Sequence, residues 1–535
     1  MAQTADKAPE LAGHSPDDSV ARTAPAHAPA YAWYVLAILF SIYVLNFIDR
    51  QVISILAEDI KRDLHLRDED LGFLYGTAFG VFYALFGIPL GRLADNWHRV
   101  RLMTAGLTLW SAMTVLSGFA RSGTMLAGAR IGVGVGEATA SPSAYSLISD
   151  LFPRRLRATA LAIYSAGLYV GGGISLGIGG LIVKSWNDAY PDGGPLGLAG
   201  WQAAFMIVGI PGLALAFLVA SLREPVRGQS EGLPPPAPHP APFHAFFADL
   251  VTILPPFTLI GAAQGGLRAF VYNIAGAGLV IAIVAALVHS GEPWPQWVAV
   301  GIGVYAVFSW ASALKRRDPP TFALIVANPA FLSVVIAYGL NAFLAYTVSF
   351  WAAPYAIRVL GASPASAGFI IGGMGAAAGF LGVTLGGVVA DRLRRNNPAG
   401  RVLVIIFGAA VPPLAIATAF TTTNLWLFYA MLFPASVCAS SALGAAAATT
   451  QDLVLPRMRG TATGTFLIGT TLLGLALGPY LAGRISSLSG SLSVGVVSLL
   501  ATVPVTLAAA LLAYRLVPKA EASRQARARA AGENI

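Results

Sequence analysis

Apolar positions in this chain come in long unbroken stretches separated by short polar connections. Nothing in them alternates as a strand does. A helix that crosses a bilayer needs about 20 mostly apolar residues. Such stretches predict spanning helices over residues 34–57, 70–94, 99–120, 123–148, 155–184 and 200–222. Two more follow at 270–289 and 296–314, then a last set at 328–357, 364–391, 400–420, 424–451, 457–484 and 491–515. Hydrocarbon offers no partner to a free backbone N–H or C=O, so only helices or closed barrels cross it. Unbroken runs select helices. The expected fold class is an all-α polytopic membrane protein of about fourteen helices, grouped six, two and six.

Changes in composition separate the groups. Residues 1–30 hold Asp6, Glu10, Asp17 and Asp18 among Pro and Ala. They lack the basic start and short apolar core of a signal peptide, so a disordered cytoplasmic tail is expected. Residues 31–222 form the first bundle. Residues 223–268 read as a Pro-rich cytoplasmic linker, extended and exposed through the run Pro234 to Pro242. An inserted helix pair follows at 269–314, then the second bundle at 315–515 and a basic cytoplasmic tail at 516–535.

Charge fits this layout. Only 11% of the 535 residues are charged and the mean hydropathy is +0.68, where a soluble domain carries about 25% charged residues. The net charge of +9 would suggest nucleic acid in a soluble protein. Here the basic residues collect in alternate loops, as the positive-inside rule requires, and no nucleic-acid partner is expected. One set of loops holds Arg92, Arg99 and Arg101, Arg154, Arg155 and Arg157, Lys315 to Arg317, Arg392 to Arg395, Arg457 and Arg459. The first loop of the other set is acidic, with Glu58, Asp59, Asp63, Asp68, Glu69 and Asp70. Both termini are therefore expected in the cytoplasm. The lack of an N-x-[ST] sequon suits an inner (plasma) membrane. Cys438 stands alone, so no internal disulfide forms. None of the seven histidines lies centrally in an apolar run, so neither a metal nor a cofactor is expected. No nucleophile–base constellation suggests an enzyme. A monomer among membrane lipids is expected.

The two sets of six repeat each other. Leu45-Asn46 matches Leu340-Asn341. Gly91-x-x-x-Asp95 matches Gly387-x-x-x-Asp391. Pro153-Arg-Arg-Leu-Arg-Ala-Thr-Ala matches Pro456-Arg-Met-Arg-Gly-Thr-Ala-Thr. The order is shared and the spacing nearly constant. Repeated halves of this kind place a substrate site between them near mid-membrane, and access alternates as one half rocks on the other.

With these motifs the chain resembles the major facilitator superfamily. The loop Gly91-Arg-Leu-Ala-Asp95-Asn-Trp-His-Arg99-Val-Arg101 is similar to that family's signature, departing from it at Asn96 and His98. Arg130-Ile-Gly-Val-Gly-Val-Gly136-Glu137-Ala138 is similar to its fourth-helix motif. More narrowly the chain resembles the spinster-like branch, through Asn46-Phe-Ile-Asp49-Arg50, Gly136-Glu137-Ala138, Ser149-Asp150-Leu-Phe-Pro153 and the segment Arg157 to Tyr164. That resemblance implies transport of a sphingolipid- or lysophospholipid-like substrate. Anion:cation symporters carry a similar Asp-Arg and Gly-Glu-Ala, so a proton-coupled symporter of small organic anions is the alternative. The inserted pair lies outside the family core.

Asp49, Arg50, Arg130 and Glu137 fall inside first-half helices. Each charge at the bilayer centre costs roughly 2.5–3.5 kcal/mol, so pairing or contact with water is required. Seven residues separate Arg130 from Glu137, two turns on one helix face, and Asn46 is placed to support Asp49 or Arg50. The expected pairs are Asp49 with Arg130 and Arg50 with Glu137. Protonating a carboxylate would free its arginine for an anionic head group; fixed ion pairs joining two helices are the plainer reading. Tyr75, Tyr83, Tyr164, Tyr169, Tyr338, Asn341 and Tyr346 are candidate cavity wall, or packing. A cytoplasmic gate is expected from Gly91, Asp95, Arg99, Arg101 and Asp391 with Arg157 and Arg459, the two acids meeting helix N-termini across the halves; loop capping is the alternative. Gly171 to Gly180 looks like a dinucleotide loop, but it lies in a spanning helix with no strand before it, so close helix packing explains it. The expected function is a secondary transporter of an amphipathic lysolipid or sphingoid-like substrate, proton-linked or facilitative, with a channel or receptor as the remaining class.

Overall fold

The computed structural model describes residues 29–191, 193–231 and 240–533. The polar N-terminal tail and most of the run Pro234 to Pro242 lie outside these residues. The first bundle holds α1 (Ala30–Leu64), α2 (Asp68–Asn96), α3 (Arg99–Ser117), α4 in two pieces (Gly123–Glu137 and Ala140–Leu151), α5 (Arg154–Ala189) and α6 (Gly200–Ala220). Between the bundles come α7 (Pro242–Ile253), α8 (Thr258–Gln264), α9 (Leu267–His289) and α10 (Trp294–Arg317). The second bundle holds α11 (Pro329–Arg358), α12 (Pro364–Asn396), α13 (Gly400–Thr421), α14 (Leu425–Asp452), α15 (Pro456–Ser489) and α16 (Leu492–Ala522).

Among the described residues, twelve helices are long and apolar enough to cross a membrane. Of the spans expected from the sequence, α3 and α4 fall short, and both nonetheless pack inside the first bundle. Residues 123–148 do not form the single helix that their apolarity suggests. The helix breaks at Ala138 and Thr139. Pro142 explains the break, since a proline ring clashes with the carbonyl four residues earlier, here that of Ala138, and supplies no N–H. Many helices also overrun the apolar stretches. At 35 residues, α1 is about 50 Å long, well beyond the hydrocarbon core. Polar helix ends stay helical outside the core, where hydropathy no longer marks them.

The halves share one packing scheme. In the first, α1 packs on α5, α2 on α4 and α3 on α6; in the second, α11 packs on α15, α12 on α14 and α13 on α16. The halves meet along two lateral seams, α2 with α15 and α5 with α12, and where α1 crosses α11. Each seam is closed along part of its length by backbone in direct contact. A Cβ added at Gly76 would stand 2.2 Å from the Leu475 carbonyl oxygen, and one at Gly72 2.4 Å from that of Pro479. In the other seam, Gly368 lies against the Leu176 carbonyl and Gly372 against that of Gly173, at 2.1 and 2.2 Å. All these contacts sit in the half of the membrane that holds Glu58 and Asp68. Toward the opposite, basic end the seams part: Gly87, Gly387, Gly460 and Gly464 have nothing within 4 Å. The molecule is a wedge, shut at the acidic end and splayed at the basic end. Both α2 and α15 carry a π-helical turn at the closure, Phe73–Thr77 and Thr470–Leu475. Thr77 donates to the carbonyl of Ala476 there at 2.6 Å.

The segment 223–268 is more structured than an extended linker. Pro242 opens α7 at its first turn, where a missing N–H is harmless, and α7 packs along α2. Phe243 meets Trp97 edge-on at 4.8 Å. The chain bends by 95° between α7 and α8. At the basic end, Arg457 donates to both carboxylate oxygens of Asp318, at 2.9 and 3.2 Å. These bonds hold the Asp318 carboxyl at about 2, below its usual range. The tie therefore contributes in full above the ordinary carboxylate range and is lost as pH falls toward that value. A short C-terminal helix, Arg524–Ala530, is pinned where Arg527 donates to the Ala323 carbonyl at 2.7 Å.

Seam packing makes a contrast in stability. Gly368→Ala is expected to destabilise the protein by about 1–3 kcal/mol through overpacking, whereas Gly87→Ala should be neutral or mildly stabilising. Thermal unfolding in detergent measures both; equal behaviour would contradict the tight seam.

Candidate functional site

The buried charges cluster as their spacing implies, with one difference. Arg50 Nε lies 2.6 Å from Glu137 Oε2. Glu137 is fully buried, while Arg50 keeps 20% of its side chain accessible. Three rings surround the Arg50 guanidinium, Phe79 and Tyr83 at 4.6 Å and Phe47 at 5.0 Å. Cation–π attraction is strongest in such dry surroundings. Glycines make the placement possible. Gly134 lets α4 reach the α2 backbone at Phe79, and Gly136 lets it reach α3 at Gly106 and Trp110. The helix break just after Glu137 places that carboxylate at the end of its piece.

Asp49 and Arg130 do come together, but not as a carboxylate–guanidinium pair. Arg130 Nη1 donates to the main-chain carbonyl of Asp49 at 3.1 Å. Both side chains are buried, and Asp49 Oδ1 and the Nε and Nη2 of Arg130 have no hydrogen-bond partner. One oxygen each of Glu137 and Asn46 is likewise unpartnered. An ion pair was expected here from matching depth alone, and depth says nothing about rotamers. The result is a buried cation with unused donors beside a buried acid with an unused acceptor.

A cavity of about 310 Å³ lies between α1 and α5 on one side and α11, α12, α13, α14 and α16 on the other. Tyr169, Tyr338, Asn341 and Tyr346 line it as expected, together with Phe47, Gln51 and Ser349. No acidic or basic side chain is among its lining residues. Tyr75, Tyr83 and Tyr164 are not among them either. Tyr164 is fully buried and stacked on Tyr43 at 4.4 Å. Tyr75 stacks on Phe350 and donates to Gln51 Oε1 at 3.1 Å, and Tyr83 covers Arg50. Tyr83 and Tyr164 pack beside the cavity because their helix faces turn into the first bundle, and Tyr75 lies on the contact between the halves.

The acidic end carries a lock that charge patterning only hinted at. Arg358, at the end of α11, binds Glu58 of α1 at 2.8 Å and Asp68 of α2 at 2.7 Å. Lys61 and Ser486 also reach Asp68, each at 2.6 Å, and Arg484 of α15 reaches Glu69 at 3.2 Å. Below them Gln51 donates to Ser349 at 3.0 Å and Ser54 to the Phe350 carbonyl at 2.6 Å. Every one of these except Lys61–Asp68 joins first half to second. Charge placement gave no specific signal for it: Lys61, Arg62, Arg67 and Arg484 are basic on the same side, and only the fold brings Arg358 to Glu58 and Asp68.

At the basic end the gate residues are held within their own halves. Arg99 is fully buried and binds Asp150 and, at 2.7 Å, Glu224. Asp391 pairs with Arg401 of the same half at 2.8 Å. Arg157 donates to the Ser149 carbonyl and the Ser230 hydroxyl. Asp95, Arg101 and Arg459 are exposed, and Gly91 faces Pro142 at 3.9 Å. Among the described residues Asp391 finds its partner in its own half, in Arg401, rather than across the halves.

Two pseudo-symmetric six-helix bundles, a central cavity and buried charge beside it define a membrane transporter of the alternating-access type. The sequence pattern of the Major Facilitator Superfamily matches residues 39–467 and again 334–534, and the chain belongs to that superfamily; within it, several of its relatives are spinster proteins. An "MFS-type efflux pump" of Mycolicibacterium smegmatis is 28% identical over 463 residues, covering 86% of each chain. "Protein spinster" of Drosophila melanogaster is 24% identical over 456 residues, 85% of this chain and 62% of that one. Among solved structures, a bacterial homolog of the human lysosomal transporter Spinster, inward-facing and unoccupied, superposes with a TM-score of 0.66 at 25% identity. It covers 94% of this chain and 99% of that one.

Three outcomes follow. Removing one partner of a buried pair costs about 3–5 kcal/mol, so Arg50→Ala is expected to unfold at lower temperature. The near-isosteric Glu137→Gln should fold but lose gradient-driven uptake; wild-type uptake by folded Glu137→Gln would leave the pair a helix tie only. Arg358→Ala leaves Glu58 and Asp68 facing each other. In a Cys438→Ala background, Ser349→Cys should then react faster with an impermeant thiol reagent applied from the acidic side. An unchanged rate would show that Arg358 does not lock that end.

Proposed function

We propose that this chain carries an amphipathic lysolipid- or sphingoid-like molecule across the membrane by alternating access, coupled to protons through Glu137 and Asp49. The observation that carries the reading is the cavity. Its wall is mostly apolar and aromatic, with scattered polar points at Gln51, Asn341, Ser349, Ser436, Ser440 and Thr506 and at tyrosines such as Tyr338 and Tyr346. Such a wall suits an acyl or sphingoid chain. Phe47 both lines the cavity and covers Arg50, so a charged head group has a cation within reach at one end. Protonation of Glu137 weakens its hold on Arg50 and frees that guanidinium for a phosphate or carboxylate. The resemblance to the spinster-like branch implies this class, and several relatives carry the spinster name.

The unpartnered donors of Arg130 support the second reading, a proton-coupled symporter of small organic anions. A small acid needs fixed cations around it rather than a long apolar wall, which favours the amphiphile.

Sidedness follows from charge. The basic end faces the cytoplasm, both termini lie on that side of an inner membrane, and the structure is the inward-open state. Asp95 and Asp391 meet their opposite helix starts only when that end shuts.

Proteoliposomes loaded in turn with lysophospholipids, sphingoid bases and small organic acids decide between the readings. Saturable movement of the amphiphiles, faster with an imposed pH gradient, is expected. Movement of organic acids alone would overturn the amphiphile reading, and rates indifferent to the gradient would remove the proton.

A further inference from the structure

The two lateral seams are alike in their closed halves and differ in their parted halves. In the α5–α12 seam the last close approach toward the basic end is Gly379 against the Tyr169 ring, at 2.5 Å. In the α2–α15 seam the last is Gly80 against Thr471 and Leu475, at 3.1 and 3.2 Å. Beyond that glycine contact a third helix enters between α2 and α15. Gly303 of α10 sits between Leu472 of α15 and Val81 of α2, which an added Cβ would meet at 2.9 and 3.4 Å. Ala306 is buried in one apolar cluster with Val81, Leu85, Ile253 and Ala476. Val307 and Trp310 continue down the crevice against Ala84, Ile88 and Ile468. Only about 20 Å³ of space is left there.

The insert is fixed to both walls. At the acidic end Glu292, in the α9–α10 turn, accepts from Tyr480 at 3.0 Å and pairs with Arg484 at 3.2 Å. Gln296 donates to the Ala476 carbonyl at 3.3 Å. At the basic end α7 is tied to α2 through the Asp249–Arg92 pair. Helix α9 covers the outside, with only 6% of its most apolar stretch buried. A helix with that much bare apolar surface belongs against lipid tails, so α10 lies between those tails and the seam.

We propose that the inserted pair is a stopper. Helix α10 fills the inward-open α2–α15 seam and bars bilayer lipid from the cavity on that side. Exchange of an amphiphile with the surrounding leaflet is then confined to the opposite flank. The shape of the stopper stands by itself; its bearing on substrate rests on the amphiphile reading above. The close fit of Gly303 against the Leu472 and Val81 side chains is the signature. An inserted pair that merely decorated the surface would not drive an apolar helix between two others to within van der Waals distance of both.

The wild-type protein in nanodiscs tests this with two photoactivatable probes. The first is a phospholipid carrying a diazirine in its chain, mapped by peptide mass spectrometry. Ile281 on the bare face of α9, 67% exposed, should label strongly, while Ala84, Ile88 and Ile468 stay at background. Labelling of those three comparable with Ile281 would overturn the stopper. The second probe is a lysophospholipid with the same group. Adducts on Leu168 or Val383 in the cavity wall, with none on Ala84, Ile88 or Ile468, support one-sided exchange; adducts on the latter three overturn it. If the lysophospholipid labels no cavity residue, the amphiphile reading falls, and the first probe still decides the stopper.

Discussion

Hydrocarbon gives an unpaired charge nothing to bind, and the contact between Arg50 and Glu137 is this chain's answer to that constraint. The pair holds α1 against α4 at mid-depth. Three aromatic rings screen the arginine, and the break in α4 leaves the carboxylate at a helix end. Buried pairs stabilise little beyond what apolar residues would supply in the same place. Their presence therefore argues for use. The neighbouring Asp49 and Arg130 sharpen that argument, because their side chains keep unsatisfied atoms instead of neutralising each other.

The same scarcity of solvent shapes how the halves meet. Bundles in lipid gain little from hiding apolar surface, so close backbone packing and hydrogen bonds carry the contact. Gly72, Gly76, Gly368 and Gly372 let four helices touch along the acidic half of the membrane. The Arg358 lock and the Gln51 and Ser54 bonds close the end above them. The basic ends are tied within each half, around Arg99 and Arg401. Strong ties inside halves and localised ties between them are what rigid-body rocking needs. The inserted helices complicate this picture, since Glu292 joins them to α15 while Asp249 joins them to α2. Any rocking must slide or flex that bridge.

Much of this was readable from the chain. Leu45-Asn46 and Leu340-Asn341, the two Gly-x-x-x-Asp motifs and the two Pro-Arg starts exposed the duplication. The duplication carried the fold and the location of the site. Arg130 and Glu137, two turns apart, announced a charged helix face. The misses have specific causes. The break at Ala138 was written in Pro142 but hidden by the apolarity around it. Segment 242–253 read as linker because the prolines before it masked an apolar helix. Arg358 gave no signal of its own, because its partners Glu58 and Asp68 belong to the other half, and pairing across halves has no period in sequence.

Sequence alone determined the solvent, the helices, their two-fold duplication and the charges that lipid would not tolerate free. Those properties are local or repetitive, and hydropathy and spacing record them directly. Tertiary structure decided which acid each arginine meets, which tyrosines face the hollow, which end is shut, and that the extra helices fill a seam. Each of these depends on rotamers and on distances between segments hundreds of residues apart, which only packing in three dimensions sets.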